Sequence, residues 1–276
     1  MNTEKKEPLH FGVLGNHLGH SLSPEIHEDL LRQQKISGTY KKYEMDENEV
    51  LRILEVMRDE HILGMNVTMP YKEVVYQLMD VIDPHAEKIG AVNTVLMKDG
   101  KFYGYNTDYI GAVSMFHKAG ITLAGKEIVI LGSGGAARGL IYGFHTDGAA
   151  KITVAARNEK ALDSLQERFP YINTCKLTNV PAGDILVNTT PLGMHPHVGE
   201  SPVDASVIRQ FKAASDIVYN PLITEFLRIA KEEGLQIVTG LMMLVDQAIG
   251  SEEIWLGKKL DYNMGNRIHD ELARKF

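Results

Sequence analysis

The segment KEIVILGSGGAARGL, residues 126–140, restricts most tightly what this 276-residue chain can fold into. A short apolar run ends at Leu131, and a cluster of glycines follows at once. The run reads as a buried strand, and the stretch after the glycines reads as a helix. The turn between them, GSGGAA, fits the G-x-G-x-x-A fingerprint of a dinucleotide site. Gly132 permits the tight turn, Gly134 lets the backbone approach a pyrophosphate, and Ala137 lets the helix lie close to the strand. The whole run Gly132, Ser133, Gly134, Gly135, Ala136 and Ala137 is therefore the candidate cofactor loop. The free N–H groups and positive dipole end of the helix that it opens favour phosphate. A bare strand–helix turn can carry the same glycines, so the weight rests on strand, helix and following strand occurring together.

KITVAAR supplies that following strand, and NEKALDSLQERF a second helix. DILVNTT and SDIVYN read as further strands, and LQIVTG closes the sheet. NAD sites usually place Asp or Glu at the end of the second strand, where it accepts from the ribose 2′-hydroxyl. Here Arg157 stands near that place, and no acid follows until Glu159. A guanidinium grips a 2′-phosphate in a fork, whereas a carboxylate repels one. NADP is the expected cofactor, with NAD left open; the plainer reading of Arg157 is a solvated loop charge.

The first half starts with its own alternation. LHFGVLG (9–15) reads as a strand, and Ser23-Pro24 opens a helix with Ser as cap and Pro in the first position. TYKKYEM (39–45) reads as a second strand, and Asp46 caps a helix through Asp59 with Val50, Leu51, Leu54 and Met57 on one stripe. ILGMNV is the third strand, and NTVLMKDGKFYGYN a hairpin turned by Asp99-Gly100. Strands alternating with helices predict parallel α/β layers. We expect two α/β domains, one over residues 1–107 and a Rossmann-like one over 108–240, with helices in 241–276 returning to the first.

A net charge of −7 argues against a nucleic-acid surface. No apolar run reaches the roughly 20 residues that span a bilayer. The stretch MNTEKKEPLHFGVLG has no apolar core before Gly15, so no signal peptide is expected. With Cys175 as the sole cysteine, no disulfide can form within the chain, and a cytoplasmic protein is expected. The expected partner is a small molecule, with no nucleic acid and no membrane.

Polar residues gather in the segments that follow the first-half strands, where open parallel sheets bind ligands. They are Ser21 and Ser23 in GNHLGHSLSP, Asn66, Thr68 and Lys72 in NVTMPYKE, Asn93 in AVNT, and Asn106 and Asp108 in GYNTD. Hydroxyls, amides, a cation and a carboxylate suit a small polyhydroxylated acid. No metal is expected: His20 and Asp108 form no spaced ligand set, and His195 and His197 beside a proline read as a loop. Each polar residue also has a plain structural reading. Ser23 and Asp108 can cap helices, Asn66 and Asn93 can shape turns, and Lys72 can be surface charge.

Taken in order, HSLSP, NVTMPYKE, GAVNT, GYNTD, GSGGAAR, NTTPLGM, VYNP and GLMMLVDQA resemble the motifs of shikimate dehydrogenases, across about residues 11–257. The resemblance implies an N-terminal substrate domain, a C-terminal NADP domain and a cleft between them. It also implies reversible NADPH-dependent reduction of 3-dehydroshikimate to shikimate in aromatic amino-acid biosynthesis. By resemblance, Ser21 and Ser23 look like contacts to the substrate carboxylate, with Tyr219 near it. Asn66, Thr68, Asn93 and Gln247 resemble residues that hold the ring hydroxyls. Lys72 and Asp108 are similar to the catalytic pair, with Lys72 giving or taking the proton of the reacting oxygen. Ile217 and Gly240 fall where the family contacts the nicotinamide half. The family usually carries Asn-Arg-Thr where this chain has Ala156-Arg157-Asn158, which narrows the margin of NADP over NAD. Rival readings are a quinate/shikimate dehydrogenase using NAD or NADP, a non-catalytic shikimate-binding sensor, and a folate-linked dehydrogenase, whose substrate HSLSP and GYNTD do not suit. Both a monomer and a homodimer are compatible with the sequence.

Overall fold

The computed structural model of the chain describes residues 7–276; residues 1–6, where the N-terminal stretch read for a leader begins, lie outside them. The chain divides into two compact units. One joins the described residues up to Thr107 with Ala248–Ile268, and the other joins Asp108–Gln247 with His269–Phe276.

The first unit runs β1 (Leu9–Gly15), α1 (Ser23–Gln33), β2 (Gly38–Glu44), a 3-10 turn (Val50–Arg52) leading into α2 (Ile53–Asp59), β3 (Ile62–Val67), α3 (Lys72–Tyr76), β4 (Val81–Ile82), α4 (Pro84–Ile89), β5 (Thr94–Lys98) and β6 (Lys101–Tyr105). Its strands form one sheet in the order β2-β1-β3-β5-β6-β4. β1 is parallel to β2 and β3, while β5 is antiparallel to β3 and β6. The parallel layer expected of the first three strands is present, and the hairpin extends it as an antiparallel wing. Asp99 and Gly100 turn that hairpin with φ of 52° and 74°, the left-handed pair that matches strand twist.

Two local expectations shift. Ser23 is the first residue of α1 rather than its cap; the Ser21 hydroxyl accepts from the Ser23 N–H at 3.3 Å. Asp46 lies ahead of the helical segment rather than at its cap, and closes a reciprocal box over the turn that leads into it. Its carboxylate takes the Glu49 N–H at 3.0 Å, and the Glu49 carboxylate takes the Asp46 N–H at 3.0 Å. The segment it opens starts as a 3-10 turn, with three residues per turn, so the buried phase steps from Val50 to Ile53 and then to Met57. Leu51, expected on the apolar stripe, is instead 60% exposed.

The second unit runs α5 (Asp108–Lys118), β7 (Glu127–Leu131), α6 (Gly135–Thr146), β8 (Lys151–Ala156), α7 (Glu159–Arg168), β9 (Asn173–Lys176), β10 (Ile185–Asn188), α8 (Ala205–Ile208), β11 (Ala213–Asp216), α9 (Glu225–Glu232) and β12 (Gln236–Thr239). The strands are all parallel in the order β12-β11-β10-β7-β8-β9. This is the doubly wound arrangement, whose direction reverses between β7 and β10, and ligands of such sheets bind outside the strand ends at that reversal. The strand expected over SDIVYN stops at Asp216, because the Asp216 carboxylate takes the Val218 N–H at 2.9 Å and turns the chain out of the sheet.

Helices α10 (Leu241–Leu256) and α11 (Met264–Ala273) complete the chain. The boundary was expected at residue 240, but the division falls inside α10, whose start groups with the second unit through Gln247 and whose remainder groups with the first. Among the described residues no helix is long and apolar enough to cross a membrane.

Trp255 anchors the later part of α10 in the first unit. Its indole stacks on Phe11 with centroids 4.9 Å apart and donates to the Val95 carbonyl at 2.9 Å. It occupies the space that a side chain on Gly64 would need, since a Cβ there would lie 2.4 Å from the indole. Gly64→Ala should therefore lower stability by about 1–3 kcal/mol through overpacking, read as a reduced urea midpoint. An unchanged midpoint would show that the indole is free to move.

Candidate active site

In the first unit, adjacent parallel strands bring their following loops together. Thr68, just past β3, donates its N–H to the Leu14 carbonyl on β1 at 2.9 Å. A Cβ on Gly15 would lie 2.7 Å from both Leu18 and Thr68, so the missing side chain there lets the Ser21–Ser23 loop approach Thr68. Ser23 is buried and Ser21 half-buried.

Asn66, on β3, is 5% exposed, and its amide nitrogen reaches the Ser251 hydroxyl at 2.8 Å and both the Asn93 carbonyl and the Thr94 hydroxyl at 3.3 Å. The Asn93 side-chain oxygen accepts from the Thr107 N–H at 2.7 Å and the Thr94 hydroxyl at 2.9 Å, while its amide donates to the Thr107 hydroxyl at 3.0 Å. Asn66 and Asn93 thus belong to a dense buried polar network, where each group satisfies another and fixes its orientation. Asn66 lies within β3 rather than in a turn, while Asn93 does sit in the bend just before β5.

Lys72 opens α3 and is half-buried. Its backbone is held from both sides: its carbonyl accepts from the Val92 N–H at 2.9 Å, and the buried Tyr71 before it donates to the Met45 carbonyl at 2.6 Å. The lysine therefore starts from a fixed point beside Asn93 rather than from a mobile loop.

Asp108 belongs to the second unit, where it opens α5 and is 4% exposed. One turn along α5, a Cβ on Gly111 would fall 2.4 Å from the Met243 carbonyl and 3.2 Å from the Gln247 Cβ. Glycine allows this close crossing of α5 and α10. The Asp246 carboxylate, taking the Ser114 hydroxyl and the Lys118 ammonium from α5, pins it. Asp108 and Gln247 are so held on two clamped helices.

The glycine turn has the form a dinucleotide needs. Gly132 has φ of 111°, and a Cβ there would meet the Thr189 hydroxyl at 2.6 Å. Gly134 caps α6, and nothing lies within 4 Å of the place its Cβ would take, so that side of the turn is open to a phosphate. Ser133, Gly135 and Ala136 are half-buried in the turn, and Ala137 is fully buried against the sheet. The first turn of α6 holds no acid to repel an anion. Arg157 is exposed directly after β8, and Asn158 behind it caps α7 by accepting from the Ala161 N–H at 3.2 Å. Glu159, the nearest acid after the strand, is ion-paired with Lys176. These residues fit a phosphorylated dinucleotide.

Ile217 and Gly240 meet through their backbones, since a Cβ on Gly240 would lie 2.4 Å from the Ile217 carbonyl. Tyr219 is half-buried in the loop after β11. That loop is tied down by a residue that the sequence reading passed over, Asp216. Its fully buried carboxylate takes the Val218 N–H, the Thr224 hydroxyl at 2.7 Å and the Asn188 amide at 3.0 Å. It thereby links the ends of β10 and β11 to the cap of α9. Thr94, Thr107 and Ser251 were missed as well. Asp216, before the apolar Ile217 and Val218, had a local signal, whereas Thr94, Thr107 and Ser251 lie directly beside other polar residues and had none.

Burial pushes the Asp216 carboxyl up to about 6, against the pull of its three donors. An acid raised in the folded state takes up a proton on folding between its unfolded value of about 3.9 and that figure. The stability it contributes is fullest below about pH 4 and falls as pH rises through about 6. Relative to Asp216→Asn, the wild type should lose about 3 kcal/mol of unfolding free energy across that window. Urea titrations of both proteins at pH 4, 5 and 6.5 measure this, and a pH-independent difference would contradict it.

The two units match two family models: the shikimate dehydrogenase substrate binding domain over residues 13–95, and the coenzyme F420-dependent NADP oxidoreductases over residues 127–207. A shikimate dehydrogenase (NADP(+)) of Clostridium perfringens is 42% identical over 268 residues, spanning 96% of this chain and 99% of that protein. The solved shikimate dehydrogenase 1 from Peptoclostridium difficile aligns with a TM-score of 0.90 at 40% identity, covering 96% of this chain and 98% of that one. Shikimate 5-dehydrogenase from Thermus thermophilus, solved with NADP(H) and shikimate, aligns with a TM-score of 0.86 at 33% identity, covering 95% and 99%. Relationship at this level along nearly the whole of both units shows that the chain belongs to the shikimate dehydrogenase family.

Proposed function

We propose that this chain catalyses the reversible reduction of 3-dehydroshikimate to shikimate with NADPH, in the cytoplasm, as a monomer or homodimer. One observation carries the reading: relatedness to NADP-dependent shikimate dehydrogenases runs through both units, so that the substrate loops and the glycine turn belong to the same scheme.

The nicotinamide, when bound, supplies the hydride. The chain must bind and orient the partners and handle one proton. Lys72 donates to the carbonyl oxygen as it gains charge and takes the proton back in the reverse direction, and Asp108 is the second catalytic residue. Ser21, Ser23 and Tyr219 bring hydroxyl donors to the substrate carboxylate. Asn66, Thr68, Asn93 and Gln247 hold ring hydroxyls. The turn from Gly132 to Ala137 takes the diphosphate, Arg157 the 2′-phosphate, and Ile217 and Gly240 border the nicotinamide. NADP is favoured over NAD because the nearest acid after β8 is engaged by Lys176 while Arg157 stands exposed.

The first test is NADP reduction by the purified protein with shikimate, run beside quinate and beside NAD. Shikimate with NADP should give the highest kcat/KM; absence of any shikimate turnover would reject the reading. Lys72→Ala should cut kcat by about 10²- to 10⁴-fold, the usual worth of positioned acid–base catalysis. Wild-type turnover by that variant at saturating shikimate would remove Lys72 from the chemistry. Arg157→Ala should raise the KM for NADP by about 10-fold or more, the loss of a charge-assisted contact, and leave that for NAD unchanged. Equal effects on both cofactors would assign Arg157 to general charge instead.

A further inference from the structure

Tyr40 lies in the middle of β2, away from the strand ends and from every motif that points to the site, yet its hydroxyl donates to the Asn66 side-chain oxygen at 2.7 Å. Resting on the shikimate dehydrogenase reading, we propose that Tyr40 is a positioning residue, which locks the Asn66 amide so that it offers the substrate a hydrogen-bond acceptor.

The orientation of that amide follows from its neighbours. The Asn66 nitrogen faces the Asn93 backbone carbonyl, which can only accept. Turning the amide over would set oxygen against oxygen there. With the nitrogen fixed on that side, its two protons are shared among Ser251, Thr94 and the Asn93 carbonyl. The Asn66 oxygen has two lone pairs, and Tyr40 takes one. The other lone pair is what Asn66 can give a ring hydroxyl.

Tyr40 is itself held rigid. It is 4% exposed, and its ring stacks on the His27 imidazole with centroids 4.3 Å apart and planes 5° apart. The fully buried His27 is fixed by Glu252 at 3.1 Å, and the other Glu252 oxygen takes the Gln34 amide at 2.7 Å. Ser251 and Glu252 are neighbours on α10, so one turn of that helix secures Asn66 directly and Tyr40 through His27. Burial holds the phenol well above its ordinary titration range, so the hydroxyl keeps its proton and stays a donor.

Tyr40→Phe keeps the stacked ring and removes only the hydroxyl. The expected result is a KM for shikimate raised about tenfold, the scale of one lost buried hydrogen bond, with kcat altered less than about threefold. The Kd for NADP+ alone, read by calorimetry, should not move. In an Asn66→Ala background Tyr40→Phe should have no further effect on KM, because the amide it orients is gone. A KM for Tyr40→Phe within twofold of wild type, or losses that multiply in the double variant, would overturn the proposal. A wild type that turns over no shikimate would overturn the functional reading and this inference with it. An active wild type beside a Tyr40→Phe of unchanged KM would overturn this inference alone.

Discussion

The fit of the Trp255 indole into the notch left by Gly64 governs the first unit. It fixes the later part of α10 against the sheet by stacking on Phe11 and donating to Val95. Ser251 and Glu252, one turn earlier on α10, then fall beside Asn66 and His27. Without that seat Asn66, Thr94 and Thr107 would lose the Ser251 hydroxyl as a partner, and a buried polar group left unsatisfied costs about 1–3 kcal/mol. A contact remote from the proposed substrate residues thereby bears on their polar geometry.

The second unit solves a related problem with a buried charge. Among the described residues no cation is bonded to Asp216 at the end of β11, which is satisfied by one backbone N–H, one hydroxyl and one amide. Desolvation of a carboxylate is expensive, and the three donors offset only part of it, as the raised pKa records. What the arrangement supplies is a rigid exit from the sheet, joining β10, β11 and α9 beside the backbone contact of Ile217 with Gly240. Both units use the same device. Polar side chains at parallel strand ends are locked by internal partners, so that loops carrying ligand groups are shaped before anything binds.

Legibility from sequence divided along the range of the interaction. The glycine turn and the Asp99-Gly100 hairpin depend on residues a few positions apart, and each was readable. The phase of α2 was misread because a 3-10 turn and an α-helix have different periods and the apolar residues fit both for one turn. Ser21, Ser23, Asn66, Thr68, Lys72 and Asn93 stood out as polar residues following apolar strands. Tyr40 and Ser251 did not, since Tyr40 sits in an ordinary alternating strand and Ser251 lies 185 residues from its partner Asn66.

The sequence by itself determined the strand–helix alternation, the dinucleotide turn and the polar character of the strand-end loops, because periodicity and local backbone preference act over a few residues. Tertiary structure alone decided that α10 is divided between two units, that Asn66 and Asn93 join one buried network, and that Tyr40 faces Asn66. Those outcomes require sheet neighbours and a returning helix to meet, and sheet order and helix docking are fixed by packing over the whole chain rather than by any segment of it.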